Sequence, residues 1–351
     1  MTDDRRPTDD LSRRATECRR TTVEFFRSSV NGERSPRPRG HRSTVIGHRI
    51  FCVLLVSVGM VSGGCGPLLK QMSVASATEI FRDGMAAFYR EGDLLIAEQA
   101  LASNLKLLEI FLEASPNNPD LLLQASQGFS TYTFAFVEDK IAQHHRDPHL
   151  VEVDRGRARR LYLRGRDYGL RLLTLQHEAL AASLNADLPT LRASLALLRR
   201  EDVPALFWTA YGWAGSIHWS LDRPEMLADL PRVLAMMDRV LELDEGYFFA
   251  GAHLFFGAYY ASRSRALGGD PERARSHLDR ALELAGPTIL VGHLFLADPY
   301  AIQVQDRTLF ETQLRLILDA PEDLSPDYRL LNQVAKARAR LLLEKNGELF
   351  L

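Results

Sequence analysis

Cysteine is scarce, with three in 351 residues (Cys18, Cys52 and Cys65) and none in the long body that follows Cys65. That excludes a disulfide framework and a cysteine-rich zinc site in the body, and it leaves no stray thiol to misoxidise after export. Long apolar runs are missing too. The longest, Ile50 to Val61, holds about twelve residues, short of the ~20 a membrane-spanning helix needs. A basic excess is absent from the body: residues 1–49 carry twelve arginines against seven acids, residues 50–64 carry no charge, and residues 65–351 carry 31 basic against 38 acidic residues. A body of that sign is a poor partner for nucleic acid, where a basic face supplies most of the affinity. The chain also lacks a His-Glu-x-x-His pair, a phosphate-binding loop, a Gly-x-Gly-x-x-Gly turn and a nucleophile elbow, so no cofactor and no catalytic residue is expected.

What is present begins with an address. Arg42 and Arg49, the apolar run Ile50–Val61, and the small residues before Cys65 follow the basic, apolar, small order of a secretory signal. The ending resembles a bacterial lipoprotein signal, with Gly63 and Gly64 in place and Ser62 standing where Leu, Val or Ile is usual. Residues 46–64 are therefore expected to be a signal peptide and Cys65 the lipidated first residue of the mature chain. An ordinary cleaved signal and an uncleaved anchor are the alternatives. Gly66 follows rather than a retention Asp, which leans toward the outer membrane. Residues 1–45, Arg-rich with Pro7, Pro36 and Pro38, have no periodic apolar order. They read as a disordered extension or as a start placed too early, with Val30 or Val45 as true starts.

From residue 65 to 351 the pattern predicts one all-α domain. Apolar residues recur three and four apart, as in Leu105, Leu108 and Leu112 or Leu234, Met237, Val240 and Leu241. The breaks are explicit: Gly92-Asp93, Ser115 to Asp120, Asp187-Leu-Pro189, Asp202-Val-Pro204, Asp222-Arg-Pro224, Gly268-Gly-Asp-Pro271, Gly286-Pro287 and Ser325-Pro326. Asp93 can cap the helix that follows it, and each of the other breaks couples a capping residue or a glycine to a proline. Helical hairpins in series suggest a repeat stack. In residues 247–287, Phe256-Gly257-x-x-Tyr260 and Ala274-x-x-x-Leu278-x-x-Ala281 match a tetratricopeptide-type unit, with a turn about five residues longer than usual. Residues 203–244 and 78–116 form looser copies, so the fold expected is a degenerate tetratricopeptide-like stack of antiparallel hairpins, closed or curved as readily as regular.

Candidates for chemistry are few. His144-His145-Arg-Asp147-Pro-His149 has metal-ligand residue types but reads as a solvated loop. His218, His253 and His293 read as satisfied core histidines, and Asp298 as a helix or turn cap. The aromatic residues say more. Trp208, Trp213 and Trp219 fall in one helical segment with Phe207 and Tyr211, and Phe248, Phe249, Phe255, Phe256, Tyr259 and Tyr260 crowd the next hairpin. They cover more than one helix face, so they either pack between hairpins or line an apolar pocket as well. Trp208, Tyr211, Trp219, Phe256 and Tyr260 are the candidate pocket residues.

The run Leu206-Phe-Trp-Thr-Ala-Tyr-Gly-Trp213, then Leu234 to Asp244, Gly251-Ala-His-Leu-Phe-Phe-Gly257, Gly268-Gly-Asp-Pro271, Ala274 to Leu284, and the close from Leu296-Ala-Asp298 to Asn332-x-x-Ala335-Lys336 resembles the TatT component associated with TRAP transporters. The resemblance covers residues 65–351. It implies a non-enzymatic envelope lipoprotein facing the periplasm and held to the membrane by its lipid alone. It further implies association with the periplasmic solute-binding protein of a TRAP system, a homotrimer, and a held ligand, hydrophobic in character. A scaffolding lipoprotein that organises other envelope proteins through its repeats is the alternative.

Overall fold

A computed structural model describes residues 84–350. The extension 1–45, the signal 46–64 and Cys65 lie outside the described residues. Within them there are helices and turns and no strand. After a helical stretch at 84–89 come α1 (Leu94–Ala114), α2 (Pro119–Tyr132), α3 (Glu138–Gln143), α4 (Pro148–Gln176), α5 (Glu178–Ser183), α6 (Leu188–Leu195), α7 (Val203–His218) and α8 (Pro224–Leu227). They are followed by α9 (Leu230–Asp244), α10 (Tyr247–Ala261), α11 (Pro271–Ala285), α12 (Val291–Phe295), α13 (Arg307–Asp319), α14 (Arg329–Glu344) and α15 (Asn346–Leu349).

The helices begin where side chains meet orphan backbone donors. Asp93 accepts from Leu95 N and Ile96 N, Asn118 from Leu121 N, Asp187 from Thr190 N and Asp270 from Arg273 N. Each such cap stabilises its helix by about 1 kcal/mol. α11 ends at Gly286, whose φ of 77° lies in the left-handed region that glycine adopts without strain.

The hairpin of α10 and α11 carries the repeat signature in physical form. Ala274, Leu278 and Ala281 are buried to 1% exposure or less. A Cβ at Gly257 would stand 2.5 Å from Leu278 Cδ2, so only a glycine lets the two helices approach this closely. The same device recurs where the long α4 crosses α7. A Cβ at Gly212 would lie 2.9 Å from Arg166 N and 3.0 Å from Tyr162 O, which is contact with backbone rather than with a movable side chain.

Most helices between α1 and α14 pack on the next in sequence, and the last of them returns to the first. Leu330 and Val334 of α14 belong to the same buried cluster as Leu101, Leu105 and Leu108 of α1. Arg90 meets Asp327 at 2.9 Å, and Lys345 Nζ donates to Ala142 O at 2.7 Å. The helical stack is thus closed on itself rather than an open solenoid. The closing helix brings residues from the far end of the chain against α1 and α3.

Candidate functional site

Three groups of side chains stand out, and α7 touches two of them. Trp208 is 1% exposed. Its ring packs edge-on against Phe207, Phe248 and Tyr211, at centroid distances of 5.0, 4.6 and 5.7 Å, and its Nε1 donates to Tyr247 Oη at 3.2 Å. Burial pushes the Tyr247 hydroxyl up to about 12.

Phe248 owes its place to an unusual backbone. Phe248, Phe249 and Ala250 have φ of 46°, 57° and 56°, a left-handed turn inside α10 without a glycine. Left-handed geometry costs an L-residue about 1–2 kcal/mol, so the packing around the turn must hold it there. Ala250→Gly tests this. Glycine relieves the strain while losing one buried methyl, which contributes about 0.8 kcal/mol. The variant is expected to match or exceed wild-type stability in urea denaturation. In an ordinary right-handed turn the same change would lose the methyl and a further ~1 kcal/mol of helix propensity, and a loss of about 2 kcal/mol would refute the left-handed turn.

The turn directs Phe248 and Phe249 into a cleft of about 390 Å³ lined also by Tyr89, Gln127, Gly246, Leu284, Ala285 and Tyr328. Phe249 meets Tyr328 edge-on at 4.8 Å, and Gln127 Nε2 donates to Tyr89 Oη at 2.6 Å. Behind Tyr89 and Phe248 lies an apolar pocket of about 30 Å³, walled by Phe88, Leu101, Phe134, Leu330 and Val334 among others. It has room for roughly one water-sized group.

The second group is charged and sits where the stack closes. Arg338 of α14 donates through Nε to Asp139 at 2.8 Å and through a terminal nitrogen to Phe134 O at 2.6 Å, and it stands 3.3 Å from Glu138. Its guanidinium lies 4.3 Å from the centre of the Phe134 ring. Glu138 accepts from Tyr162 Oη at 2.7 Å and from Trp219 Nε1 at 3.1 Å. Burial holds the Asp139 carboxyl above its usual range against the pull of Arg338. Burial also works against the charge of Arg338, but Asp139 and Glu138 outweigh it and keep the guanidinium ionised.

The third group is the hairpin of α10 and α11. Phe256 and Tyr260 stack on each other at 6.2 Å, and both stack on His277. His277 Nδ1 lies 2.9 Å from His253 Nδ1, and His253 Nε2 lies 3.1 Å from Glu245, which also pairs with Arg280. Burial, with His253 and Arg273 nearby, depresses the His277 pKa to about 4.

The structure therefore brings Trp208 and Tyr211 together. It links Tyr211 to Trp219 through Tyr162, whose ring is 6.2 Å from that of Tyr211, and through Glu138. It does not bring Phe256 and Tyr260 to that group, since their rings face α11. The cleft residues Tyr89, Gln127 and Tyr328 were not foreseen, because they come from distant parts of the chain and no local spacing joins them. Arg338 was missed because Lys336-Ala-Arg338-Ala-Arg340 reads as a polar helix face.

Three smaller expectations meet their outcomes here. His218 is exposed rather than in the core, because α7 ends there. His253 and His293 are partly buried and bonded, the latter to Gln313 at 2.7 Å. Asp298 caps nothing: its backbone, at φ −132° and ψ 116°, interrupts the helical path, and its carboxyl has no hydrogen-bond partner among the described residues. In the segment from His144 to His149, His144 pairs with Asp154 at 2.8 Å and Asp147 caps α4.

With the closed helical stack and its cleft in view, comparison with known families is decisive. The family model described as TAtT, TRAP transporter T-component, matches residues 90–350. This chain belongs to that family. No curated protein matches it. The T-component is thus an accessory part of a TRAP transporter, associated with the cell envelope, and not of a family known for enzymatic activity. Among the described residues no helix is long and apolar enough to cross a membrane.

Proposed function

We propose that this T-component is an envelope lipoprotein that binds the periplasmic solute-binding protein of its TRAP system and holds an apolar ligand in the cleft beside Phe248 and Phe249. Cys65, at the end of the 46–64 signal peptide, carries the lipid, and the 65–351 domain faces the periplasm from the outer membrane. The working unit is a homotrimer.

The observation that carries this reading is the cleft. Its volume of about 390 Å³ falls within the ~300–1,000 Å³ of small-ligand sites. Aromatic rings from three separated segments converge on it, and it abuts a smaller, wholly apolar pocket. A large aromatic investment at one concave place, with Gln127 and Tyr89 to orient a polar atom, suits capture and transfer of a small molecule better than chemistry.

Affinity capture of the full chain from envelope extracts, followed by native mass spectrometry, tests the reading. Recovery of a solute-binding protein with the wild type, and its reduction in Phe249→Ala, is the expected result. Recovery of secretion or cell-wall proteins with no solute-binding protein would favour the scaffolding alternative. Cys65→Ser is expected to move the protein from the membrane to the soluble fraction, and retention on the membrane would exclude the anchor.

A further inference from the structure

The paired histidines of the α10–α11 hairpin hold chemistry that the cleft does not use. His253 lies on α10 and His277 on α11, and their Nδ1 atoms stand 2.9 Å apart. Both rings are held in place. His277 stacks on Phe256 and Tyr260, at centroid distances of 5.3 and 5.9 Å. His253 turns its other nitrogen, Nε2, to Glu245 at 3.1 Å, and Glu245 is fixed in turn by Arg280. Arg280 and His253 hold the Glu245 carboxyl down at about 2, so it is an ionised acceptor. Both histidines are partly buried, which places the pair just beneath the surface rather than in the core.

The proton positions follow from these contacts. A neutral imidazole carries one N–H. Glu245 draws that of His253 to Nε2, which leaves a lone pair on its Nδ1. His277 donates its own Nδ1–H into that lone pair. Its Nε2 has no protein partner among the described residues and is not sealed from water, so the proton can sit there instead. Moving it from Nδ1 to Nε2 loses no proton and aims two lone pairs at one point. Burial, with His253 and Arg273 nearby, keeps the His277 ring neutral, the form that ligates a metal. A carboxylate on the far nitrogen, as Glu245 is on His253, orients a ligating histidine and raises its basicity. The spacing selects the ion. Two nitrogens about 2.0–2.1 Å from a metal stand about 2.9 Å apart when they meet it at a right angle, and further apart at a tetrahedral angle. No third His, Cys, Asp or Glu is grouped with them among the described residues, so water takes the other positions. Right-angled nitrogen pairs suit tetragonal Cu2+ and Ni2+, and copper binds such sites more tightly.

We propose that His253 and His277 together bind a divalent transition-metal ion of tetragonal preference, copper before nickel, which ties α10 to α11. The ion sits between the two Nδ1 atoms, and Glu245 orients His253 from behind. The guanidinium of Arg273, exposed and 4.2 Å from the centre of the Tyr260 ring, opposes a cation here, so the affinity is below that of a site with three or four protein ligands. The site shares no residue with the cleft at Phe249 and does not depend on the reading of that cleft.

Thermal unfolding of the full chain with Cu2+, Ni2+, Zn2+ or Mg2+ is the test. An ion that binds only the folded protein stabilises it. Cu2+ is expected to raise the melting temperature most, by roughly 2–4 °C or more, Zn2+ by less and Mg2+ not at all. His277→Phe keeps a ring on Phe256 and Tyr260 but removes both nitrogens, so the rise with Cu2+ and Ni2+ should disappear. His253→Gln leaves that aromatic stack intact and should abolish the rise as well; it carries the test alone if His277→Phe does not fold. Ions caught by the exposed His145 and His149 would stabilise the wild type and both variants alike. A rise that survives in the variants, no rise with Cu2+ in the wild type, or a larger rise with Zn2+ or Mg2+ than with Cu2+ would each overturn the proposal.

Discussion

Replacing Arg338 with methionine is expected to destabilise the protein by about 3–5 kcal/mol, the scale on which breaking a buried ion pair leaves uncompensated charge. Methionine keeps much of the packing over Phe134 but removes every donor. Glu138 and Asp139, each less than a fifth exposed, would then face each other with no cation between them. The loss also has a direction in pH. Burial already holds the Asp139 carboxyl above its usual range, and the variant removes the guanidinium that opposes that rise, so Asp139 is neutral in the fold at low pH and must be ionised there at high pH. The deficit relative to wild type should therefore be smallest near pH 4 and grow as pH rises through the raised folded value of Asp139. Urea denaturation of both proteins at pH 5 and pH 8 checks this. Adding Asp139→Asn to Arg338→Met should recover part of the loss, and failure to do so would mean that Arg338 acts through packing alone.

That network also shows where sequence reading stops. The helices were legible because their signals are local. Asp93, Asp187 and Asp270 stand one residue before a helix start and do cap it, and Gly257 with Ala274, Leu278 and Ala281 marks a hairpin whose contact is set by side-chain size. The family resemblance rests on the same segments and agrees with the match over residues 90–350. The closure of the stack was not legible. It depends on α14 reaching α1 and α3, residues about 200 positions apart in the case of Arg338 and Asp139, and no periodicity encodes such a meeting. Nor was the left-handed turn at Phe248 to Ala250, because aromatic and alanine residues there give no turn signal. Its consequence is large. A regular helix would aim Phe248 and Phe249 elsewhere, and the cleft would lose two of its walls. His218 and Asp298 were misread for local reasons: α7 ends at His218, which leaves it exposed, and the backbone at Asp298 leaves the helical path, so the carboxyl caps nothing.

Trp208 separates packing from capture most sharply. The aromatic helix could in principle serve either, and the contacts divide it. Trp208 is 1% exposed, in contact with Phe207, Phe248 and Tyr211, and its one polar atom is bonded to Tyr247. Truncation to alanine removes those contacts and opens a large cavity, at a cost of about 3–5 kcal/mol. Phe249, half-buried at the cleft edge, meets only Phe248 and Tyr328 among the aromatic rings of the described residues, so Phe249→Ala should cost well under that. The expected pattern is a large drop in the denaturation midpoint for Trp208→Ala, and near-native stability with weakened ligand or partner capture for Phe249→Ala. If Trp208→Ala instead stays as stable as wild type and loses capture, the tryptophan is a wall of the binding site and its neighbours are not a core. In the expected case the division is physical: the rings of α7 fix the position of α10, and the strained start of α10 carries the two phenylalanines that meet whatever the cleft holds.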